Sequence, residues 1–158
     1  GEDAGYYRGS PIGGNWNRYD TRHSWSDHGL HHYLGEAWYR QKIFLPEDIA
    51  GERVFLWFAG AHNQVKVWVN GQEVGISHTK ALRPFEFDVT EAVKPGEDNW
   101  VAVRASSIRI REIGVGGLVG PAFFYVPAGG VEAELGYPLG KRFPALARQI
   151  EVPEGDLP

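Results

Sequence analysis

The clearest pattern of apolar and polar positions lies in segment 64–75. Three valines alternate there with polar or aromatic residues: Val65, Val67 and Val69. This period of two predicts a strand with one buried face. Asn70-Gly71 then supplies the two residues of positive φ that a two-residue type I′ turn requires. The pattern therefore predicts a β-hairpin in which Val69 pairs with Gln72 and Val67 pairs with Val74.

Short strand-like segments continue on both sides of this hairpin and are separated by Gly, Pro, Asn and Asp. They are 38–45, 53–59, 84–89, 100–105 and 121–126. Segment 53–59 is apolar at almost every position, as in a central strand covered on both faces. Segment 46–51 is interpreted as a turn with one helical turn, and 60–63 as a short connection. A spacing of about 8–12 residues between such segments predicts an antiparallel jelly-roll β-sandwich.

The chain has 158 residues, which fits one domain. We divide it into a lead-in (1–17), which we expect to lie against the domain surface, the jelly-roll sandwich (18–128) and a C-terminal extension (129–158). Segment 18–35 is polar, rich in ring side chains and without a sustained period, so it is interpreted as a loop. Segment 148–152 is predicted to add an edge strand to the sandwich.

Composition narrows the class of protein. The formal net charge of −4 argues against nucleic acid or an anionic membrane as partner, and no apolar run is long enough to span a membrane. The absence of cysteine excludes disulfides and thiolate chemistry. Methionine is also absent, even at position 1, and we therefore expect a processed product or a segment of a larger parent.

Aromatic residues and arginines are the most informative candidates for binding. A pyranose needs a flat ring for its apolar face and polar groups for its hydroxyls. Trp25 lies in a polar loop, where it either stacks on a sugar or plugs one end of the sandwich. Arg109, Arg111 and Glu112 follow a strand and suit hydroxyl or uronate recognition, with a surface ion pair as the alternative. The strand residue Trp68 is expected either to be exposed or to lie under a second layer. Core positions are predicted for the other three strand tryptophans: Trp38, Trp57 and Trp100.

Catalytic and metal signals are weak. Glu86 and Asp88 share the solvent face of one strand and are interpreted as surface residues, with Asp88 or Thr90 capping the next turn. The chain has no Gly-x-Ser-x-Gly nucleophile motif, and its glycine-rich segment 114–120 precedes a strand instead of following one. The histidines lack zinc-type spacing. We expect no cofactor, with a structural calcium as the open alternative; its candidate donors are Asp20, Asp27 and Glu97-Asp98-Asn99.

A set of linked motifs identifies a family. In order they are Trp38-Tyr39-Arg40, Val67-Trp68-Val69-Asn70-Gly71 with Gly75, Pro84-Phe85-Glu86-Phe87-Asp88-Val89-Thr90, Lys94-Pro95-Gly96, Val101-Ala102-Val103-Arg104 and Gly116-Gly117. Together they resemble the sugar-binding domain of glycoside hydrolase family 2, a galactose-binding-like jelly roll shared with many carbohydrate-binding modules. The segment 78–82 departs from the His-x-Gly-Gly-Tyr-like run that is usual there.

The resemblance implies a non-catalytic, carbohydrate-binding accessory module of a larger glycoside hydrolase, because the family's catalytic carboxylates belong to a separate barrel. The implied partners are a glycan or polysaccharide and the catalytic domain of the same parent chain, and export is expected. The resemblance also implies that segments before Trp38 and before Gly116 approach the active site. With the loop chemistry, this predicts a glycan site at one end of the sandwich. Its candidate ligand-binding residues are Trp25, Asp27, His28, Tyr33, Arg83, Arg109, Arg111 and Glu112.

Two alternatives stay open at this point. The first is a purely structural interdomain module without its own ligand. The second, less favoured alternative is a small stand-alone glycan hydrolase.

Overall fold

The computed structural model describes residues 4–8, 16–19, 21, 23, 25–31, 33–79, 83–107, 116–128, 140–145 and 150–153. Within these residues the regular structure consists of strands and two 3₁₀ turns, Ser26–His28 and Glu47–Ile49. The strands are β1 (Trp16–Tyr19), β2 (Gly35–Phe44), β3 (Phe55–Phe58), β4 (Ala61–Val69), β5 (Gln72–Thr79), β6 (Phe85–Asp88), β7 (Asp98–Ser107), β8 (Gly117–Leu118), β9 (Ala122–Pro127), β10 (Gly140–Pro144) and β11 (Ile150–Pro153). No helix in the described part of the chain is long and apolar enough to cross a membrane.

The strands form two antiparallel sheets, which confirms the predicted jelly-roll sandwich. The large sheet has the order β1-β11-β2-β7-β4-β5, with β8 paired to β4. The small sheet has the order β10-β9-β3-β6. Each predicted strand segment corresponds to an observed strand, with ends that differ by a few residues.

The predicted hairpin is β4–β5, and its register differs from the prediction by one residue. Asn70 and Gly71 have φ of 52° and 83°, and Val69 pairs with Gln72, as a type I′ turn requires. Val67, however, pairs with Gly75, so the predicted pair with Val74 is wrong. A bulge inserts one extra residue in β5 and moves Gly75 opposite Val67. Only a glycine fits there, because a Cβ on Gly75 would overlap the Phe87 ring of β6.

The central core lies between the facing sides of the two sheets. Its large sheet contributes the alternating valines of β4 and β7 together with Tyr39, and the small sheet contributes Leu56, Phe58 and Phe124. All of these are at most 1% exposed. The period of two therefore places one side of each strand in the core, as predicted.

A second apolar layer covers the outer side of the large sheet. Trp38 and Trp68 are buried there beside Ala102, and Tyr6, Tyr7 and Trp16 pack against them. The described residues of the lead-in thus lie on the domain surface, and Trp68 is under a second layer. Arg40 is part of the same layer, with its guanidinium 4.5 Å from the centre of the Trp100 ring.

Burial is confirmed for two of the three strand tryptophans predicted for the core, Trp38 and Trp57, both on the outer sides of the sheets. Trp38 is buried in the outer layer just described, and Trp57 is buried on the outer side of the small sheet, stacked on Phe123 at 4.8 Å. Trp100 is only partly buried, under Arg40. A strand has two sides, and in both sheets the outer side also carries apolar rings.

Segment boundaries differ from the prediction at three places. Trp16–Tyr19 is a strand that pairs with β11, so both the lead-in and the supposed loop 18–35 contribute to the large sheet. The C-terminal extension supplies β10 and β11, and β11 lies between β1 and β2, so the prediction of an edge strand there is wrong. The supposed connection 60–63 largely belongs to β4, which begins at Ala61. The predicted helical turn after Pro46 is confirmed as the 3₁₀ turn Glu47–Ile49.

Candidate functional site

The strand register brings the strand ends that border the candidate loops to one end of the sandwich, which we call the loop end. The first residue of β2, Gly35, is opposite the last residue of β7, Ser107. The start of β2 and the end of β7 therefore lie side by side at this end. In the small sheet, Phe58 at the end of β3 pairs with Phe85 at the start of β6, so Arg83 precedes β6 at this same end. The Asn70-Gly71 turn lies at the opposite end, which we call the turn end.

Trp25 is a core residue that closes the loop end. It is 1% exposed, and its Nε1 donates a hydrogen bond of 2.6 Å to the hydroxyl of Tyr39. Gly116 and Gly117 pack so closely on the indole that a Cβ at either position would overlap it. The plug interpretation therefore holds, and the hypothesis that Trp25 stacks on a sugar is wrong because no face of its ring is exposed.

The other predicted residues of this loop surround the plug. Tyr33 contacts Trp25 edge to face at 5.2 Å, and its hydroxyl donates a 2.6 Å hydrogen bond to the Glu36 carbonyl. Asp27 and His28 lie in the 3₁₀ turn Ser26–His28 and are exposed. The buried indole thus fixes the backbone of a turn whose polar side chains face outward.

The predicted arginines and their neighbouring carboxylate are only partly described. Arg83 is exposed at the loop end. Arg109, Arg111 and Glu112 lie outside the described residues, as does the calcium candidate Asp20, and their roles stay predictions. Among the described residues, no group of three histidine, aspartate or glutamate side chains is placed to hold a metal ion. The structural calcium also stays a prediction.

The structure adds polar residues at the loop end that the sequence analysis missed. Glu36 accepts a 3.2 Å hydrogen bond from the hydroxyl of Ser106, and its Oε1 lies 3.6 Å from Nη1 of Arg104. Asn63 has a φ of 65°, and its Nδ2 donates a 3.3 Å hydrogen bond to the hydroxyl of Ser107. Asparagine tolerates this left-handed backbone better than most residues, which was the one signal available beforehand. A carboxylate, an amide, hydroxyls and a guanidinium are the groups that bind sugar hydroxyls.

Two carboxylates of the small sheet, Asp88 at the turn end and Glu86, have structural partners. Asp88 accepts hydrogen bonds from the hydroxyl and backbone N–H of Thr90, which confirms its capping role. The Thr90 hydroxyl and then Arg53, 2.8 Å away, lower the pKa of Asp88 to about 2. Glu86 accepts a 2.6 Å hydrogen bond from Tyr125, whose pKa is raised by burial and by this contact. A depression of about 460 Å³ opens beside Asp88, floored by Val74.

These observations define a class: an antiparallel jelly roll with a polar loop end. Comparison with known proteins then identifies the family. Residues 10–111 match the profile described as glycosyl hydrolases family 2, sugar binding domain. The chain belongs to this family.

Relatives and solved structures agree with the assignment. The chain is 37% identical over 82 residues to a β-glucuronidase of Paenibacillus borealis, a match that covers 52% of this chain and 14% of that protein. It is 38% identical over 90 residues to a β-galactosidase of Thermoanaerobacter pseudethanolicus, covering 52% of this chain and 12% of that protein. A family 2 glycosyl hydrolase from Bacteroides cellulosilyticus superposes with a TM-score of 0.58 at 25% identity, covering 66% of this chain and 16% of that one. The chain therefore spans a small fraction of the proteins it matches.

Proposed function

We propose that this sugar-binding domain is a non-catalytic accessory module of a larger glycoside hydrolase, with its loop end against the glycan and the catalytic domain. The observation that carries the proposal is the gathering of hydrogen-bonding side chains at that end. Asn63, Glu36 and Arg83 all lie there, on or next to strands that hold them in place, and the buried Ser107 accepts a hydrogen bond from Asn63. Loops held by a rigid sheet are where binding residues concentrate in such folds.

A β-glycoside is the substrate class that we propose for the parent protein. The support is the pair of relatives described above, a β-glucuronidase and a β-galactosidase, whose matches cover this domain. Guanidinium groups bind carboxylates in a bidentate manner, so Arg83 suits a uronate better than a neutral sugar.

The electrostatics of the described carboxylates support a non-catalytic role. A glycosidase needs two convergent carboxyls, one of which has a raised pKa so that it can act as the acid. The pKa of Asp88 moves in the opposite direction, to about 2. Glu86 is hydrogen-bonded to Tyr125 and Glu36 to Ser106.

The test uses the full 158-residue chain. Binding of methyl β-D-glucuronide and methyl β-D-galactoside is titrated by calorimetry for the parent chain and for Arg83→Ala. We expect Arg83→Ala to weaken binding of the glucuronide by at least about ten-fold, since a hydrogen bond to a charged group contributes about 1.5–3 kcal/mol. The matched control is Arg53→Ala, which removes an exposed arginine at the turn end and should leave affinity unchanged.

Three results would contradict the proposal. If Arg83→Ala and Arg53→Ala change the affinity equally, the sugar does not bind at the loop end. Turnover of p-nitrophenyl β-glycosides by the purified chain, lost in a carboxylate variant, would make it an enzyme. Absence of binding at millimolar sugar would favour a purely structural interdomain module.

A further inference from the structure

A tyrosine from the N-terminal segment occupies a ring-sized seat on the outer side of the large sheet. Residues Gly5 to Arg8 form a turn closed by a 3.0 Å hydrogen bond from the Arg8 N–H to the Gly5 carbonyl, with Tyr6 and Tyr7 at its tip. Tyr7 stacks on Trp68 with ring centres 5.8 Å apart and planes inclined by 29°. Tyr6 instead meets Trp38 edge-on.

The seat is built by three neighbouring strands. Trp68 of β4 stacks on Trp38 of β2 at 5.0 Å, although β7 lies between these two strands. The two indoles can meet above β7 because the β7 residue that pairs with Trp68 is the small Ala102. Tyr7 is therefore the last ring of a three-ring series. Its removal would leave Trp68 with an aromatic surface and a vacant slot next to it.

Charged groups border this slot. Nζ of Lys66 lies 5.0 Å from the centre of the Trp68 ring and 3.0 Å from Oε2 of Glu73. Glu73 is directly opposite Trp68 in the β4–β5 pair. An aromatic face bordered by an ammonium and a carboxylate is the arrangement that a pyranose requires, with its C–H face on the ring and its hydroxyls on the charges.

We propose that the Tyr7 seat is a second pyranose-binding subsite, separate from the loop end, that the chain's own tyrosine closes in this structure. Tyr7 is suited to leave because it is only half-buried. The carbonyl of Arg8 accepts a 2.6 Å hydrogen bond from Nη2 of the buried Arg40, which keeps the segment attached beyond the two tyrosines. The two tyrosines of the turn can therefore move away from the sheet while Arg8 stays in place.

The test is Tyr7→Ala in the full chain, titrated with methyl β-D-glucoside and methyl β-D-galactoside and followed by tryptophan fluorescence. A sugar on Trp68 changes the emission of that indole, and we expect affinity at least five-fold above that of the parent chain. Tyr6→Ala is the matched control, since it removes an edge contact and leaves the face of Trp68 covered. It should not increase affinity.

A second substitution checks the location of the gain. Adding Glu73→Gln to Tyr7→Ala should remove most of the gained affinity, because Glu73 is exposed and its substitution leaves the core intact. Adding Arg83→Ala to Tyr7→Ala should leave the gained affinity unchanged. The two sites are thus tested separately, and failure of the proposal for the Tyr7 seat is distinguishable from failure of the proposal for the loop end. The proposal is wrong if Tyr7→Ala binds no tighter than the parent chain, or if Tyr6→Ala gains as much.

Discussion

Replacing Asn99 with alanine tests how the turn end of the sandwich is held together. The side chain is fully buried. Its Nδ2 donates to the carbonyls of Lys94 and Glu97, both at 2.9 Å. Its Oδ1 accepts from the Lys94 N–H at 2.7 Å and from Nδ2 of Asn70 at 2.8 Å. One amide thus connects the 94–97 turn to the Asn70-Gly71 hairpin.

The expected loss of stability follows from these four hydrogen bonds. Each contributes about 0.5–1.5 kcal/mol net, and a buried group left without a partner costs about 1–3 kcal/mol. Lys94 and Glu97 are exposed residues, so water can replace part of what their backbone groups lose. We therefore expect Asn99→Ala to lower the free energy of unfolding by about 2–4 kcal/mol. For a chain of this length the melting temperature should fall by roughly 4–16 °C.

The assay is thermal and urea unfolding followed by circular dichroism, with Asp98→Ala as the matched control. Asp98 is next in sequence, and its 3.0 Å ion pair with Lys42 is about half exposed. Such a pair contributes about 0–1 kcal/mol. If Asn99→Ala destabilises the domain no more than Asp98→Ala does, the buried amide network does not stabilise the turn end, and the argument is refuted.

Four further predictions concern the rest of the fold. The pKa of Asp88 is about 2 in the folded chain, so its contribution to stability should be complete above about pH 5 and lost as the pH falls towards 2. Asp88→Asn should therefore flatten the acid dependence of the melting temperature, and an unchanged slope would argue against a role of Asp88. The raised pKa of Tyr125 means that stability should fall above about pH 10, where the unfolded tyrosine ionises first, and Tyr125→Phe should reduce this alkaline loss in pH-dependent melting curves. Gly75→Ala should lower the free energy of unfolding, measured in urea, by about 1–3 kcal/mol because the new Cβ overlaps Phe87. Adding Phe87→Leu should recover part of this loss, and no recovery would mean that the overlap is not the cause. Trp25→Ala should lower unfolding free energy by about 3–5 kcal/mol, and a variant as stable as the parent would show that the plug is dispensable.

Local pattern was enough for the architecture and the hairpin. Alternation of valines with polar residues identifies a strand because a strand turns successive side chains to opposite sides. Asn70-Gly71 identifies its turn because few other residue pairs accept positive φ twice. The linked motifs identified the family, and the strand ends at Gly35, Phe85 and Ser107, which border the candidate loops, lie at one end.

Register and burial depended on contacts between distant segments. Val74 is the extra residue of the bulge, and next to it only a glycine fits opposite Val67, because Phe87 of the other sheet lies close to Gly75. No local signal in β5 contains that constraint. Strand β1 was missed and β11 was taken for an edge strand, because the two pair with each other across almost the whole chain.

Trp25 shows the same limit for the candidate site. Its neighbours in sequence are polar, which favoured an exposed ring for stacking. Its neighbours in space are Tyr39, Gly116 and Gly117, which bury it completely. The sequence by itself determined which segments are strands, how the central hairpin turns and which loops carry polar chemistry, because those properties depend on residues close together in the chain. Only the tertiary structure decided which aromatic rings are covered, because burial depends on which segments meet.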